Sequence, residues 1–485
     1  MHAHLISDAI KKIFPYHPTG DQTTLTDKLA EFVTDPSPDT IFVLKGYAGT
    51  GKTSIVSSLV NVLAELKVET VLLAPTGRAA KVLSAYAGQR AFTIHKKIYR
   101  LLTGADGSVK ISLQKNRHKH CFFIVDEASM IPYGQAETQG SLFGGVSLLD
   151  DLIHFVYTSD HCRLLFIGDT AQLPPVHSTE SPALNKQFLE NRYRLHVHEF
   201  ELKDVVRHAK DSGILFNATL LREMLGKQQQ GFPAFRLQGF DDLMRIQGSD
   251  AADAVHDAFI SHGREEALMI CYSNKRAYLY NRHIRERVLF MEEEINAGEL
   301  LMVVRNNYFW LPEESEAGFI ANGDIIELNR IIRTETVYGF SFADVNARML
   351  DYPGEPELEV KLLLDTLSSD GPALSRQDAA SLFDAVAADY QHIPNKRTRL
   401  AHIRNNPYLN ALQVKYAYAM TCHKTQGGQW RHVFVEMGYL PAKKPDIEYL
   451  RWLYTAITRG TEKVFLMNFT GDFFENNNLE NDNLK

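Results

Sequence analysis

The sequence has little cysteine and no long apolar run. Its 485 residues include only four cysteines, at widely separated positions. Disulfide-rich secreted domains and zinc modules need cysteines in closely spaced pairs, so both classes are excluded. A membrane-spanning helix needs about 20 consecutive apolar residues, and no run approaches that length. The N-terminal segment MHAHLISDAIKKIF also lacks the pattern of a secretory signal. We therefore expect a cytoplasmic protein without a membrane partner, nucleoid-associated if it is prokaryotic.

An excess of positive charge is absent as well. Lysine and arginine together number 52 against 59 aspartates and glutamates, so the formal net charge is −7. This balance argues against a protein that coats duplex DNA with a broad basic face, but it permits nucleic acid to be held in a local groove. With 45% hydrophobic and 23% charged residues, the composition is that of a globular enzyme.

The order of the apolar runs predicts an α/β fold. The chain is too long for one core, and its length alone predicts roughly two to four structural units. Between residues 298 and 407 the runs are mostly strand-like, and a capping-box pattern at Ser375 and Asp378 then predicts a helix. Elsewhere, apolar β-branched runs alternate with helical patterns: TIFVLKG, VETVLLAP, CFFIVDEAS, CRLLFIGD, EALMICYS and KVFLMNF. This alternation predicts parallel sheets covered by helices on both faces.

A glycine-rich segment after the first of these runs carries the strongest chemical signal. GYAGTGKT fits the pattern G-x-x-x-x-G-K-S/T between a predicted strand and a predicted helix. Backbone N–H groups in such a loop cradle phosphates, Lys52 reaches the β- and γ-phosphates, and Thr53 offers a hydroxyl to Mg²⁺. ATP and Mg²⁺ are therefore the expected cofactors, and the competing interpretation is a plain glycine turn. The predicted nucleotide-binding residues of the loop are Gly46, Tyr47, Ala48, Gly49, Thr50, Gly51, Lys52 and Thr53.

Two acidic residues end a later strand, in FFIVDEASM. Asp126 is predicted to hold Mg²⁺, and Glu127 is predicted to orient or activate the attacking water. A solvated carboxylate at a strand end would give the same local pattern. The next strand leads into IGDTAQLPPV, where Gln172 is placed to sense the γ-phosphate. Together with Lys52, these residues form the predicted catalytic set on the first half of the chain.

Further motifs follow in a fixed order along the chain: APTGRAA, TIHK, VVRH, AMTCHKTQGGQW and LYTAITRG. Combined with the segments above, this series resembles the ordered motifs of superfamily 1 helicases of the RecD/Dda-like branch. The resemblance runs from about Gln22 to Leu466, apart from most of the strand-like block. It implies an ATP-dependent DNA helicase or translocase that moves along single-stranded DNA, from 5′ to 3′ in that branch, and separates duplex DNA.

The resemblance also implies an architecture. Two RecA-like domains are expected, the first over residues 1–210 and the second over residues 211–297 and 408–485. A β-hairpin wedge is expected within the first at about residues 97–118, with its turn in GADG. Residues 298–407 are expected to form an SH3-like β insertion with a helical extension.

Individual residues acquire roles from the same resemblance. Arg207 and Arg459 would stabilise charge on the γ-phosphate when the domains close, and Gln22 would read adenine. His208 follows Arg207 where the family usually has glutamine, which is a departure from the family's pattern. Surface salt bridges, turn residues and helix caps are the alternative interpretations. The residues implied to contact DNA are Pro75, Thr76, Arg78, Thr93, His95, Asn274, His423, Lys424, Thr425 and Gln426.

Three other functions fit parts of the pattern. An RNA helicase or remodeller of the same superfamily shares the motifs, and a nucleotide-gated DNA-binding subunit of a repair complex would need only some of them. A helicase-nuclease is the third, although the sequence shows no additional acidic cluster with a lysine that is typical of a nuclease centre. The expected partners are single-stranded DNA, forked or tailed duplex DNA, and single-strand-binding or repair proteins.

Overall fold

Within the residues that the structure describes, the strands form two parallel sheets, a closed barrel and a two-stranded hairpin. No helix in the described part of the chain has the length and apolar character needed to cross a membrane. The computed structural model describes residues 2–103, 109–134, 147–176, 178–204, 211–312, 315, 317–369, 371–440 and 444–475.

The first domain is built on a parallel sheet. The six strands of the sheet are β1 (Thr40–Gly46), β2 (Thr70–Ala74), β3 (Ala91–Thr93), β6 (Phe122–Val125), β7 (Arg163–Gly168) and β8 (His196–Leu202). Two further strands, β4 (Tyr99–Thr103) and β5 (Val109–Leu113), form a separate hairpin. Its helices are α1 (Ala3–Ile13), α2 (Gly20–Thr34), α3 (Lys52–Glu65), α4 (Gly77–Ala87), α5 (Ile94–Ile98), α6 (Leu148–Tyr157) and α7 (Lys186–Tyr193). The sheet order is β3-β2-β6-β7-β1-β8, so the strands that precede the candidate site, β1, β6 and β7, lie near its centre.

Alternating side chains explain why helices cover both faces of this sheet. In β1, Ile41 and Val43 enter one core, whereas Phe42 and Leu44 enter the core on the opposite face. Helices α5 and α6 close the first core, and α1, α2 and α3 close the second. A strand buried on both faces reads as a continuous apolar run, which is the pattern that predicted the fold.

The hairpin lies where a wedge is predicted. Strands β4 and β5 pair antiparallel from Tyr99 with Leu113 to Thr103 with Val109. The predicted turn at residues 104–107 lies outside the described residues. The presence of a hairpin is therefore confirmed, whereas its action as a wedge stays a prediction.

The second domain repeats the parallel α/β plan, so the predicted fold class is confirmed. The strands of its sheet are β9 (Leu243–Ile246), β10 (Ala267–Cys271), β16 (Ala419–Thr421), β17 (Trp430–Glu436) and β18 (Gly460–Met467). They lie in the order β16-β10-β17-β18-β9. The inserted barrel is formed by β11 (Leu300–Val303), β12 (Ile325–Val337), β13 (Phe340–Met349), β14 (Leu358–Leu363) and β15 (Leu412–Tyr416). The helices of this half are α8 (Gly213–Gly226), α9 (Ala251–His262), α10 (Asn274–His283), α11 (Asp365–Ser368), α12 (Arg376–Asp389), α13 (Lys396–Arg404), α14 (Cys422–Thr425) and α15 (Ile447–Ile457).

The barrel closes through a strand that the sequence analysis assigned to the second domain. Strand β15 pairs with β11 and β14, so the predicted end of the insertion at residue 407 is too early. The reason is that LQVKY is an apolar strand pattern like those of the central sheet, and pattern alone does not say which sheet a strand joins. The helix predicted from Ser375 is confirmed as α12, since the Ser375 hydroxyl accepts the Asp378 N–H at 3.1 Å.

The barrel also contacts the first domain. Lys96 Nζ, on α5, donates to the Ser315 carbonyl at 2.9 Å, and Lys81 Nζ, on α4, donates to the Leu350 carbonyl at 2.9 Å. The insertion therefore lies against the same two helices whose first turns carry predicted DNA contacts.

Candidate active site and nucleic-acid interface

The phosphate-binding loop leaves β1 and turns directly into α3. Gly49 and Gly51 have φ values of 74° and 81°, which residues with a side chain rarely adopt. Lys52 Nζ donates to the carbonyls of Gly46 and Tyr47 at 2.7 and 2.8 Å. These neutral acceptors hold the ammonium group inside the loop, and phosphate oxygens are stronger acceptors for the same donor.

The buried side chain of Gln22 holds this loop in place through a hydrogen bond to its backbone. Gln22 is fully buried, its side-chain oxygen accepts the Thr19 N–H at 3.0 Å, and its amide nitrogen donates to the Thr50 carbonyl at 3.0 Å. A Cβ atom added at Gly51 would lie 2.6 Å from that amide nitrogen. The glutamine thus completes the capping box of α2 and fixes the loop, while its predicted contact with adenine stays a prediction.

The two acidic residues follow β6 as predicted. The Glu127 N–H donates to Asp126 Oδ1 at 2.9 Å, and Glu127 has a left-handed φ of 51°, an unusual conformation that occurs at functional sites. Burial, together with the neighbouring Glu127 carboxylate, raises the pKa of Asp126 to about 6, against the opposing influence of Lys52. A nearby divalent cation would favour the charged form of such a carboxylate.

Arg459 brings the second domain to these acids. It lies between α15 and β18, is 4% exposed, and places Nη1 3.8 Å from Glu127 Oε1. The same guanidinium donates to the carbonyls of Gly428 and Thr455 at 3.2 and 3.1 Å, which fixes its direction. From the first domain, Gln172 contributes a buried side-chain oxygen for which the described residues supply no hydrogen-bond partner.

These groups share one cleft of about 1390 Å³ between the two domains, open to solvent. Thr53 and Asp126 supply the hydroxyl and carboxylate oxygens that Mg²⁺ prefers. Gly46 and Thr50 are buried within the loop, and Arg207 lies outside the described residues. The predicted residues that line the cleft are Tyr47, Ala48, Gly49, Gly51, Lys52, Thr53, Asp126, Glu127, Gln172 and Arg459.

Two predicted DNA contacts of the first domain are helix caps in this structure. Thr76, which follows Pro75 at the end of β2, accepts the Ala79 N–H at 3.2 Å, and Thr93 accepts the Lys96 N–H at 3.2 Å. Capping occupies the hydroxyl oxygen but leaves the hydroxyl proton available as a donor. His95 follows on α5, where burial lowers its pKa to about 4 and keeps the ring neutral at pH 7.

Arg78 joins the two domains. Its guanidinium group lies 4.0 Å from the centre of the Trp430 ring and donates to the Gln429 carbonyl at 3.4 Å. An arginine stacked on an aromatic ring is held in one orientation, so the Arg78 side chain has a fixed position beside the other residues predicted to contact DNA.

The predicted contacts on the second domain divide into two groups. Thr425 is fully buried and donates to the Cys422 carbonyl at 2.8 Å, and Gln426 donates to the Leu173 carbonyl at 2.6 Å. Both thus hold α14 in place. In contrast, His423 is exposed, and Lys424 lines a pocket with Asn274 between α10 and the barrel.

Gly427, Gly428 and Trp430 lie in the motif AMTCHKTQGGQW without an individual predicted role, and they pack directly on α4. A Cβ atom at Gly427, where φ is 74°, would lie 2.8 Å from the Ala79 Cβ, and one at Gly428 would lie 3.0 Å from the Arg78 Cδ. The paired glycines let the second domain approach α4 closely. A Gly-Gly pair in a sequence indicates a turn or a close approach of the backbone to another segment. The local sequence does not indicate that this other segment is α4.

Comparisons with known proteins agree with this arrangement. A family model described as an AAA domain matches residues 21–240, and one described as a UvrD-like helicase C-terminal domain matches residues 416–467. The chain is 23% identical to the uncharacterised protein R530 of Acanthamoeba polyphaga mimivirus, over 92% of this chain and 99% of that protein. It is 23% identical to the ATP-dependent DNA helicase dda of Enterobacteria phage T4, over 87% of this chain and 93% of that protein. It is 32% identical to the ATP-dependent RecD2 DNA helicase of Deinococcus radiodurans over 31% of this chain, and the match spans 18% of that protein.

Proposed function

We propose that this chain, an ATP-dependent DNA helicase of superfamily 1 and its RecD/Dda-like branch, moves along single-stranded DNA from 5′ to 3′. One observation carries the proposed mechanism. Lys52, Asp126 and Glu127 of the first domain share a cleft with Arg459 of the second, so complete stabilisation of the γ-phosphate requires both domains. Closing the cleft would therefore favour hydrolysis, and reopening it would release the products.

Each residue of the cleft has a proposed task. Lys52 donates to phosphate oxygens in place of the loop carbonyls, and Thr53 and Asp126 would hold Mg²⁺, which would supply positive charge beside the phosphates. Glu127 accepts a proton from the attacking water, and the side-chain oxygen of Gln172, which has no hydrogen-bond partner among the described residues, helps to orient that water. Arg459 then turns from the Gly428 carbonyl towards the γ-phosphate. Arg207 is proposed as a second arginine, on the family resemblance alone.

Single-stranded DNA is proposed to lie across both domains. The residues that would contact it are called the DNA track. On the first domain these residues are Pro75, Thr76, Arg78, Thr93 and His95, and on the second they are His423, Lys424 and Asn274. Backbone phosphates and base stacking would provide contacts that do not depend on sequence. Thr425 and Gln426 are proposed to act by holding α14 in place, because both are committed to hydrogen bonds within the protein.

Strand displacement on tailed duplexes tests both the helicase activity and its direction. We expect ATP-dependent separation of a duplex with a 5′ single-stranded tail and none of the matched duplex with a 3′ tail. Opening of only the 3′-tailed duplex would refute the proposed direction. Hydrolysis stimulated by DNA without strand separation would instead favour the nucleotide-gated subunit, and stronger stimulation by RNA would favour an RNA helicase.

Replacing Lys424 tests the proposed DNA track. Burial lowers the pKa of Lys424 to about 8, so the side chain is still largely charged at pH 7. If it contacts one phosphate, Lys424→Ala should reduce the slope of log affinity against log salt by about 0.7 for single-stranded DNA. Fluorescence anisotropy at several salt concentrations measures that slope. The matched control is Lys12→Ala, which removes an exposed lysine from α1, and equal slopes for the two variants would exclude the contact.

A further inference from the structure

A tyrosine on the second domain links the phosphate-binding loop to another segment of the first. The Tyr454 hydroxyl, on α15, accepts the Ala48 N–H at 3.0 Å and donates to Asp169 Oδ2 at 2.6 Å. Tyr454 and Asp169 are each 1% exposed. Burial raises the pKa of Tyr454 well above its ordinary value, so the hydroxyl keeps its proton and can donate and accept at the same time.

The segment that begins at Asp169 is held to the second domain at a further point. Leu173 donates its N–H to the Thr455 hydroxyl at 2.9 Å and accepts the Gln426 amide at 2.6 Å. Residue Gln426 directly follows α14, which carries His423 and Lys424. A continuous series of hydrogen bonds and short chain segments therefore runs from the phosphate-binding loop to the proposed DNA track.

We propose that Tyr454 is a positioning residue that couples the phosphate-binding loop to the DNA-contacting segment, through Asp169 and the residues that follow it. This inference rests on the proposed function. Gln172 lies between Asp169 and Leu173, so a shift of the segment moves the group that faces the attacking water. Tyr454 itself reaches no phosphate, because its hydroxyl is committed to Ala48 and Asp169.

The physical basis is that the Ala48 N–H belongs to the loop that is proposed to bind the phosphates and lines the same cleft. When that N–H turns towards a phosphate oxygen, the Tyr454 hydroxyl loses a donor but keeps its bond to Asp169. The hydroxyl and the carboxylate are buried, and a buried group that loses one partner favours a small shift that restores hydrogen bonding. Conversely, a shift of α14 on DNA would reach the loop through the same residues, since coupling between two sites is reciprocal.

Tyr454→Phe tests this role because phenylalanine keeps the ring packing and removes only the hydroxyl. We expect basal ATP turnover without DNA, and KM for ATP, to stay within about threefold, while stimulation of kcat by single-stranded DNA falls about tenfold, as for loss of one hydrogen bond to a charged group. The matched control is Tyr449→Phe on the same helix. Tyr449 is 2% exposed, and its hydroxyl donates to the Met437 carbonyl at 2.6 Å, within the second domain. That variant should keep the full stimulation.

The outcomes separate this inference from the function on which it rests. If the unmodified protein shows no stimulation of ATP turnover by DNA, the proposed function fails. If it shows stimulation and Tyr454→Phe retains it, or if both tyrosine variants lose it equally, the coupling role is refuted. Should Tyr454→Phe fail to fold, Asp169→Asn provides the test, because it removes the charge that accepts from the tyrosine. An unchanged stimulation ratio in Asp169→Asn would then overturn the inference.

Discussion

Lys52→Ala is expected to lower ATP turnover by at least about a hundredfold, because loss of one charged donor to the transferring phosphate removes that much transition-state stabilisation. In the structure the ammonium group is already inside the loop, held by the Gly46 and Tyr47 carbonyls. Its removal therefore leaves both the phosphates and the loop without their main cation. Strand separation should be lost together with hydrolysis, whereas binding of single-stranded DNA should change little, since none of the proposed DNA contacts involves Lys52.

Steady-state phosphate release and DNA binding by anisotropy measure the two effects separately. The matched control is Lys45→Ala on β1, the strand that precedes the loop, which removes a lysine that pairs with Glu199 outside the nucleotide cleft. Its turnover should stay close to that of the unmodified protein. Unchanged turnover in Lys52→Ala would remove the basis for assigning the phosphate-binding loop to nucleotide chemistry.

Glu127→Gln is expected to reduce kcat by about a thousandfold while the affinity for ATP changes little, since general-base groups contribute roughly 10² to 10⁴ to rate. Glutamine has nearly the same shape but cannot accept the proton of the attacking water. It also removes the charge that faces Arg459 Nη1 at 3.8 Å, so the arginine becomes freer to turn towards phosphate. A nucleotide-bound complex that turns over slowly should therefore accumulate.

Single-turnover hydrolysis and equilibrium binding of a fluorescent ATP analogue distinguish the two parameters. Glu201→Gln is the control, because Glu201 also lies beside the loop, where it accepts the Tyr47 hydroxyl at 2.6 Å, yet takes no part in the proposed chemistry. Equal losses in the two glutamine variants would mean that general electrostatics near the loop, rather than a base at position 127, account for the effect.

The sequence predicted most of what depends on local pattern. Continuous apolar runs predicted both parallel sheets, and Ser375 predicted the start of α12. Lys52 and Asp126 were predicted to act together because a phosphate-binding loop needs an acidic partner for Mg²⁺. In the structure each follows a strand of one parallel sheet, and the carboxyl ends of such strands meet at one edge. In these cases each residue carries its own signal, and the fold only has to bring the strands side by side.

What the sequence did not predict depends on contacts between distant segments. Tyr454 looks like one more buried aromatic residue of an amphipathic helix, and only its partners Ala48 and Asp169 reveal a further role. For the same reason β15 was placed in the wrong sheet, since its residues fit either. Thr76 illustrates the reverse difficulty, because one hydroxyl can cap a helix and still be available to a ligand.

The hydrogen bonds of Ala48 and Leu173 to the second domain have a consequence for the exchange of amide protons with solvent. Both N–H groups belong to the first domain, but their acceptors, the hydroxyls of Tyr454 and Thr455, belong to the second. Separation of the domains breaks both bonds at once, whereas a rearrangement of the phosphate-binding loop breaks only the bond of Ala48. Exchange that rises at both amides together therefore records opening of the cleft, and exchange that rises at Ala48 alone records movement of the loop.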